Sequence, residues 1–126
     1  MFIDAFDHEG IATSICNEAF FAACKDLLKK DGILVINLWG GTHNPEFQLV
    51  SLWLARVFNW QTLFLPVRDR GNIIALAFNN YSPLYSLQEL RTHALALEQH
   101  YQIEFPNFLK DLKRHNSSTF NQVIKS

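Results

Sequence analysis

The sequence predicts the carboxy-terminal half of a doubly wound α/β sheet that ends in an antiparallel hairpin and carries an appended helical tail. Three observations predict it. The uninterrupted apolar run Ile33-Leu34-Val35-Ile36 lies between two helically patterned segments, as suits a parallel strand covered on both faces. The link Pro66-Val67-Arg68-Asp69-Arg70-Gly71 is too short for a crossover helix, so the strands on either side must run antiparallel. The chain also opens on Phe2-Ile3-Asp4, which reads as the last turn of a buried strand that starts almost at its own end.

The elements follow in order. From Asp4 to Ser14 apolar anchors are few and Asp7, His8, Glu9 and Gly10 dominate, which predicts a loop. Asn17-Glu18 then caps a helix with Phe20, Cys24, Leu27 and Leu28 on one face. Asp31-Gly32 ends that helix, the Ile33 strand follows, and Gly40-Gly41 closes it with a loop through His43, Asn44 and Pro45. A second helix starts at Pro45 and buries Phe47, Val50, Trp53, Leu54, Val57 and Phe58. Trp60 to Leu65 reads as the third strand and Ile73 to Phe78 as its antiparallel successor. After Tyr81-Ser82-Pro83, Ser86 and Glu89 have the spacing of a capping box, and Leu87, Leu90, Ala94 and Leu97 form a buried stripe. A second short helix runs through Phe108, Leu109 and Leu112, with Lys110, Lys113 and Arg114 as a solvated face. From Asn116 to Ser126 there is no periodicity, which predicts a flexible tail. The organisation is therefore a partial domain over 1–80, appended helices over 81–115 and a tail over 116–126.

Composition narrows the function classes. A chain of 126 residues with a net charge of −1 allows one domain and lacks the basic face that nucleic-acid or membrane-surface partners need. No apolar run reaches the roughly 18 residues of a membrane span. Met1-Phe2-Ile3-Asp4 has no basic leader region, so a cytoplasmic location is expected. Cys16 and Cys24 form no C-x-x-C pair, which disfavours both a disulfide framework and a cysteine zinc site. Aromatics make up 13% of the chain and Phe occurs 11 times, more apolar area than a domain this small hides with ease. Either the core is Phe-rich, or part of that surface faces another subunit or another stretch of chain, with homo-oligomers forming through the exposed sheet edge.

Ligands of open α/β sheets bind beyond the carboxyl ends of the strands. Two such ends carry polar residues, Asp4-Ala5-Phe6-Asp7 and Asn37-Leu38-Trp39-Gly40-Gly41. Carboxylates at Asp4 and Asp7 suit a substrate ammonium, which must be held and must lose a proton before its nitrogen can attack. The alternative is structural, with Asp7 capping a turn and Asp4 paired to a basic neighbour. A different class, a cation-binding loop or hydrolase, would use His8 and Glu9 with Asp4 and Asp7 and recruit His43. Cys24 lies on an apolar helix face and is read as core, and His93, His100 and His115 as surface residues.

Phe2-Ile3-Asp4-Ala5-Phe6-Asp7, Ile15-Cys16-Asn17-Glu18-Ala19-Phe20-Phe21, the Leu27 to Gly32 stretch and the Ile33 to Leu38 strand together resemble the spermidine synthase family of polyamine aminopropyltransferases. The hairpin from Leu63 to Phe78 resembles that family's last two strands, so the likeness covers about the first 80 residues. It implies a Rossmann-like sheet of the class I S-adenosylmethionine-dependent methyltransferase type. It also implies that Asp4 orients and deprotonates an attacking amine, that Asp7 holds the amine chain, and that decarboxylated S-adenosylmethionine is the co-substrate, with no metal. This chain departs from the family where its loop reads His8-Glu9-Gly10-Ile11 and where Pro66-Val67-Arg68-Asp69 replaces a tyrosine-bearing segment. Arg68 beside a diamine would repel it, so the amine acceptor is expected to differ from putrescine. Glycines occur only at 10, 32, 40, 41 and 71, with no G-x-G turn for a nucleoside. The chain by itself is therefore expected to bind no cofactor and to be inactive, as a fragment of a longer enzyme. Two other readings stand beside this one: a non-catalytic half-domain or pseudoenzyme acting as an interaction module, and a methyltransferase-like enzyme of other substrate.

Overall fold

A computed structural model describes residues 1–4, 6–7, 10–11, 17–39, 45–67, 71–79 and 86–124. Strand β1 (Phe2–Asp4) is followed by a ribbon of two short strands, β2 (Phe6–Asp7) and β3 (Gly10–Ile11), and by helix α1 (Glu18–Leu27). Then come β4 (Ile33–Trp39), α2 (Pro45–Val57), β5 (Thr62–Pro66) and β6 (Asn72–Phe78). Helices α3 (Leu87–Tyr101), α4 (Phe105–His115) and α5 (Phe120–Val123) are the last elements among the described residues.

The main sheet has the order β1-β4-β6-β5. β1 runs parallel to β4, with Phe2, Ile3 and Asp4 opposite Val35, Ile36 and Asn37. The backbone of Met1 extends this pairing, because the Val35 N–H donates to its carbonyl at 2.8 Å. β6 is antiparallel to both of its neighbours, which makes β1, β4 and β5 mutually parallel. The short link after β5 thus does what its length requires, and β6 turns back into the slot between β4 and β5.

Alternation along the strands builds two cores. Leu34, Ile36 and Leu38 of β4, with Ile73, Ala75 and Ala77 of β6, point to one face and are buried under Phe21 and Cys24 of α1 and Phe47, Val50 and Leu54 of α2. On the central strand β6 this face carries two alanines, which leaves room for the bulkier side chains of α2. Leu63 of β5 and Phe78 of β6 point the other way and are buried under Leu87, Leu112, Phe120, Val123 and Ile124 of the helical tail. Asn17 caps α1 as expected, its Oδ1 accepting from the Phe20 N–H at 2.9 Å. Ser86 caps α3 by accepting from the Glu89 N–H at 3.3 Å, and its hydroxyl donates to the Glu89 carboxylate at 3.2 Å. No helix among the described residues is long and apolar enough to cross a membrane.

Several expectations need correction. The stretch from Asp4 to Ser14, expected as a loop, contains the β2–β3 ribbon, in which Phe6 faces Ile11 and Asp7 faces Gly10. The stripe of α1 centres on Phe21, Cys24 and Leu28, so Leu27 falls at its rim on the last turn and is 77% exposed. Trp60 is not in a strand. Asn59 and Trp60 both take left-handed backbone conformations, at φ 55° and 65°, and the Trp60 N–H donates to the Ala55 carbonyl at 2.7 Å. This exit turn stops α2 and delays β5 to Thr62, a role that a sequence reading assigns to glycine. In α3 the buried stripe ends at Ala94, and Leu97 is exposed because the helix outruns the cluster on which it packs.

The largest correction concerns the last segment. Residues 116–124 were expected to be flexible, yet Phe120, Val123 and Ile124 are buried against β5 and β6. A four-residue helix is too short to display a period, so its burial comes from tertiary contact and left no pattern to read. Asn116 anchors it. Its Nδ2 donates to the carbonyls of Phe64 at 2.8 Å and Leu112 at 2.7 Å, while its Oδ1 accepts from the Phe64 N–H at 2.9 Å. β5 is an edge strand, and the Asn116 side chain pairs with its outer backbone as another strand would. Replacing Asn116 with Ala leaves these groups without their partner and is expected to cost about 2 kcal/mol. That corresponds to a Tm lower by roughly 5–10 °C in a thermal melt. Asn116→Asp keeps the acceptor but sets a carboxylate against two carbonyl oxygens. Its folded-state pKa is therefore raised, and its lost stability should return as pH falls through that pKa, the opposite of ordinary acid destabilisation.

Candidate functional site

Because β1, β4 and β5 are parallel, their carboxyl ends share one edge of the sheet, where β6 begins. Asp4 closes β1 at that edge, with its backbone in register with Asn37 of β4. Asn72, the first residue of β6, lies two positions before Ile74, the register partner of Asn37, and so shares its face. Their side chains meet, Asn72 Nδ2 donating to Asn37 Oδ1 at 3.2 Å. On the far side of β6 the Val67 N–H donates to the Asn72 carbonyl at 3.0 Å, which closes the end of β5 against the same point. The result is a polar row, Asp4–Asn37–Asn72, across three neighbouring strands whose interior positions are almost wholly apolar.

Asp7 belongs to the β2–β3 ribbon, opposite Gly10, and the ribbon lies beside β4. The backbone thus brings the segments of both predicted carboxylates to the carboxyl edge. The polar pair Asn37–Asn72 was only half legible. Asn37 is legible as the polar end of its strand, whereas Asn72, after Gly71 at the head of an apolar strand, is not among the sequence-predicted site residues.

His8, Glu9 and His43, the candidate cation-binding residues, lie outside the described residues, as do Cys16 and Arg68. Among the described residues no group of three or more His, Cys, Asp or Glu side chains is placed to hold a metal ion. Cys24 is buried in the core under α1, as expected, and desolvation pushes its thiol pKa up. His93, His100 and His115 are exposed on the helical tail.

Comparison with known proteins finds polyamine aminopropyltransferases. The chain is 32% identical over 114 residues to those of Neisseria meningitidis serogroups A and B, a match over 90% of its own length. It is 31% identical over 122 residues to that of Chromobacterium violaceum, over 97% of its length. It spans less than half of these curated relatives, 43% and 46% of their respective lengths. The likeness therefore extends through the helical tail, beyond the 80 residues on which the motifs lie. No protein-family model matches the chain, and no solved structure matches it.

The raised pKa and burial of Cys24 give a direct expectation. In native protein at pH 8, alkylation of Cys24 by iodoacetamide, followed by peptide mass spectrometry, should be at least about tenfold slower than in urea-unfolded chain. A native rate equal to the unfolded one would mean that α1 leaves the sheet readily.

Proposed function

We propose that this chain, a relative of the polyamine aminopropyltransferases over nearly its whole length, carries the amine-activating side of a spermidine synthase-like aminopropyltransferase. The observation that carries the reading is the place of Asp4, at the carboxyl end of β1 in line with the ends of β4 and β5. In open α/β sheets that is where ligands bind. The sheet order and the closing antiparallel strand support reading residues 1–80 as the carboxy-terminal half of a methyltransferase-type sheet, with the helices over 81–115 appended to it. On this reading the segment corresponds to the carboxy-terminal part of its longer relatives, and an enzyme of their full length is the unit that turns over.

The reaction is a direct displacement. The amine arrives as an ammonium and has no lone pair to attack with. Asp4 takes one proton from it and holds the nitrogen in line. The freed nitrogen pair forms a bond to the aminopropyl carbon of decarboxylated S-adenosylmethionine as the carbon–sulfur bond breaks. The sulfonium takes that electron pair and leaves as a neutral thioether, methylthioadenosine. Asp7, on the ribbon beside β4, holds the far end of the amine chain by charge. The Asn37–Asn72 pair contributes neutral dipoles at the sheet edge and keeps β4 and β6 in register there.

The test is Asp4→Asn in an enzyme of the relatives' full length that carries this segment. Loss of a positioned base should lower kcat at least about a hundredfold, close to 3 kcal/mol of barrier, with the Tm unchanged. Wild-type turnover in that variant would sink the assignment. Full turnover with Asp4 and Asp7 both replaced by Asn would remove the whole carboxylate mechanism.

A further inference from the structure

Helices α3 and α4 lie side by side, and the slot between them is a cavity of about 220 Å³. Leu87, Leu95, Pro106 and Leu109 form its apolar walls, while Arg91, Lys110 and Lys113 stand around it. Arg91, Lys110 and Lys113 are all exposed and, among the described residues, make no ion pair. Arg114 on the next turn is different, because it is committed to Asp111 at 3.1 Å. Three unpaired cations around an apolar slot, in a chain whose net charge is −1, form a local concentration of positive charge that the fold does not consume.

We propose that this slot binds a free aliphatic carboxylate of medium chain length, the tail between Leu95, Pro106 and Leu109 and the carboxylate among Arg91, Lys110 and Lys113. Charge complementarity sets the sign of the headgroup. The apolar walls set the tail. At about 220 Å³ the slot is of a size for one short aliphatic chain. A cationic amine, the substrate class of the proposed reaction, is repelled by the same three residues, so this slot is separate from the sheet edge in chemistry as well as in place.

Calorimetric titration of the full chain with hexanoate, octanoate and decanoate, each below its micelle concentration, tests this. Each added methylene that enters the slot should tighten Kd by up to about fourfold, the ratio given by about 0.8 kcal/mol per buried methylene. Lys110→Glu combined with Lys113→Glu should weaken decanoate at least tenfold and change decanol binding less than twofold. Leu95→Trp, which fills the slot from an exposed position, should abolish both and serves as the test if charge reversal perturbs folding. Equal binding of decyltrimethylammonium, or decanoate binding indifferent to the charge reversal, would overturn the proposal. So would binding only to phosphatidylglycerol vesicles and not to monomeric decanoate, which would make the basic ridge a membrane contact.

Discussion

Strand β6 is hydrogen-bonded along both of its edges, and the rest of the structure is arranged around that constraint. Its pairing with β4 runs the full length of both strands, from Ile33 opposite Phe78 to Trp39 opposite Asn72. Its pairing with β5 fixes Thr62 to Pro66 on the other side. A strand inserted between two parallel neighbours must present one side chain to each helical layer at alternate positions. In β6 this puts Ile73, Ala75 and Ala77 beneath α1 and α2 and Phe78 beneath the tail. Ala75 and Ala77 lie beneath the helices, and Phe78 packs against the tail. A one-residue slip would put Asn72 beneath the helices and break both cores together.

The polar row at the sheet edge is a by-product of the same insertion. With β6 reversed, its first residue lies beside the last residues of β4 and β5, and Asn72 meets Asn37 there. A parallel strand in that slot would bring its last residue to that edge instead. The antiparallel return therefore determines which side chains surround the end of β1. On the proposed reading, the chemistry and the hairpin that ends the sheet have a common origin in the short link between β5 and β6.

Much of this architecture was legible because it is written in patterns with a period. The apolar run of β4, the stripe of α2, the Ser86 cap and the shortness of the link after β5 each follow from local rules, and the structure has them. What escaped reading depends on contacts between distant residues. Trp60 looks like a strand residue by propensity, but the exit of α2 imposes a left-handed turn on it. Leu27 has the right spacing, but the phase of α1 is set by Phe21 against the sheet. Phe120, Val123 and Ile124 are too few to show a period, and the sheet residues they pack on, Leu63 and Phe78, are distant in sequence. At the site, Asp4 is legible because it ends a strand, whereas Asn72 begins one and joins the same edge only through the reversal of β6.

The Asn116 clamp joins two parts of the chain that would otherwise open independently. Local unfolding of a terminal segment is normally cheap and silent elsewhere in a domain. Here, detaching the tail withdraws the amide that covers the outer backbone of Phe64, and it uncovers Leu63 at the same moment. Opening of the tail thus bares the edge of the sheet, and the Phe64 amide proton exchanges with solvent once the tail detaches, while β5 stays paired to β6. A stretch that looks expendable in the sequence thus protects an edge strand that, once bared, would pair with the next molecule it meets. Trimming the chain in this region therefore exposes it to assembly into β-linked aggregates before it loses any of its strands.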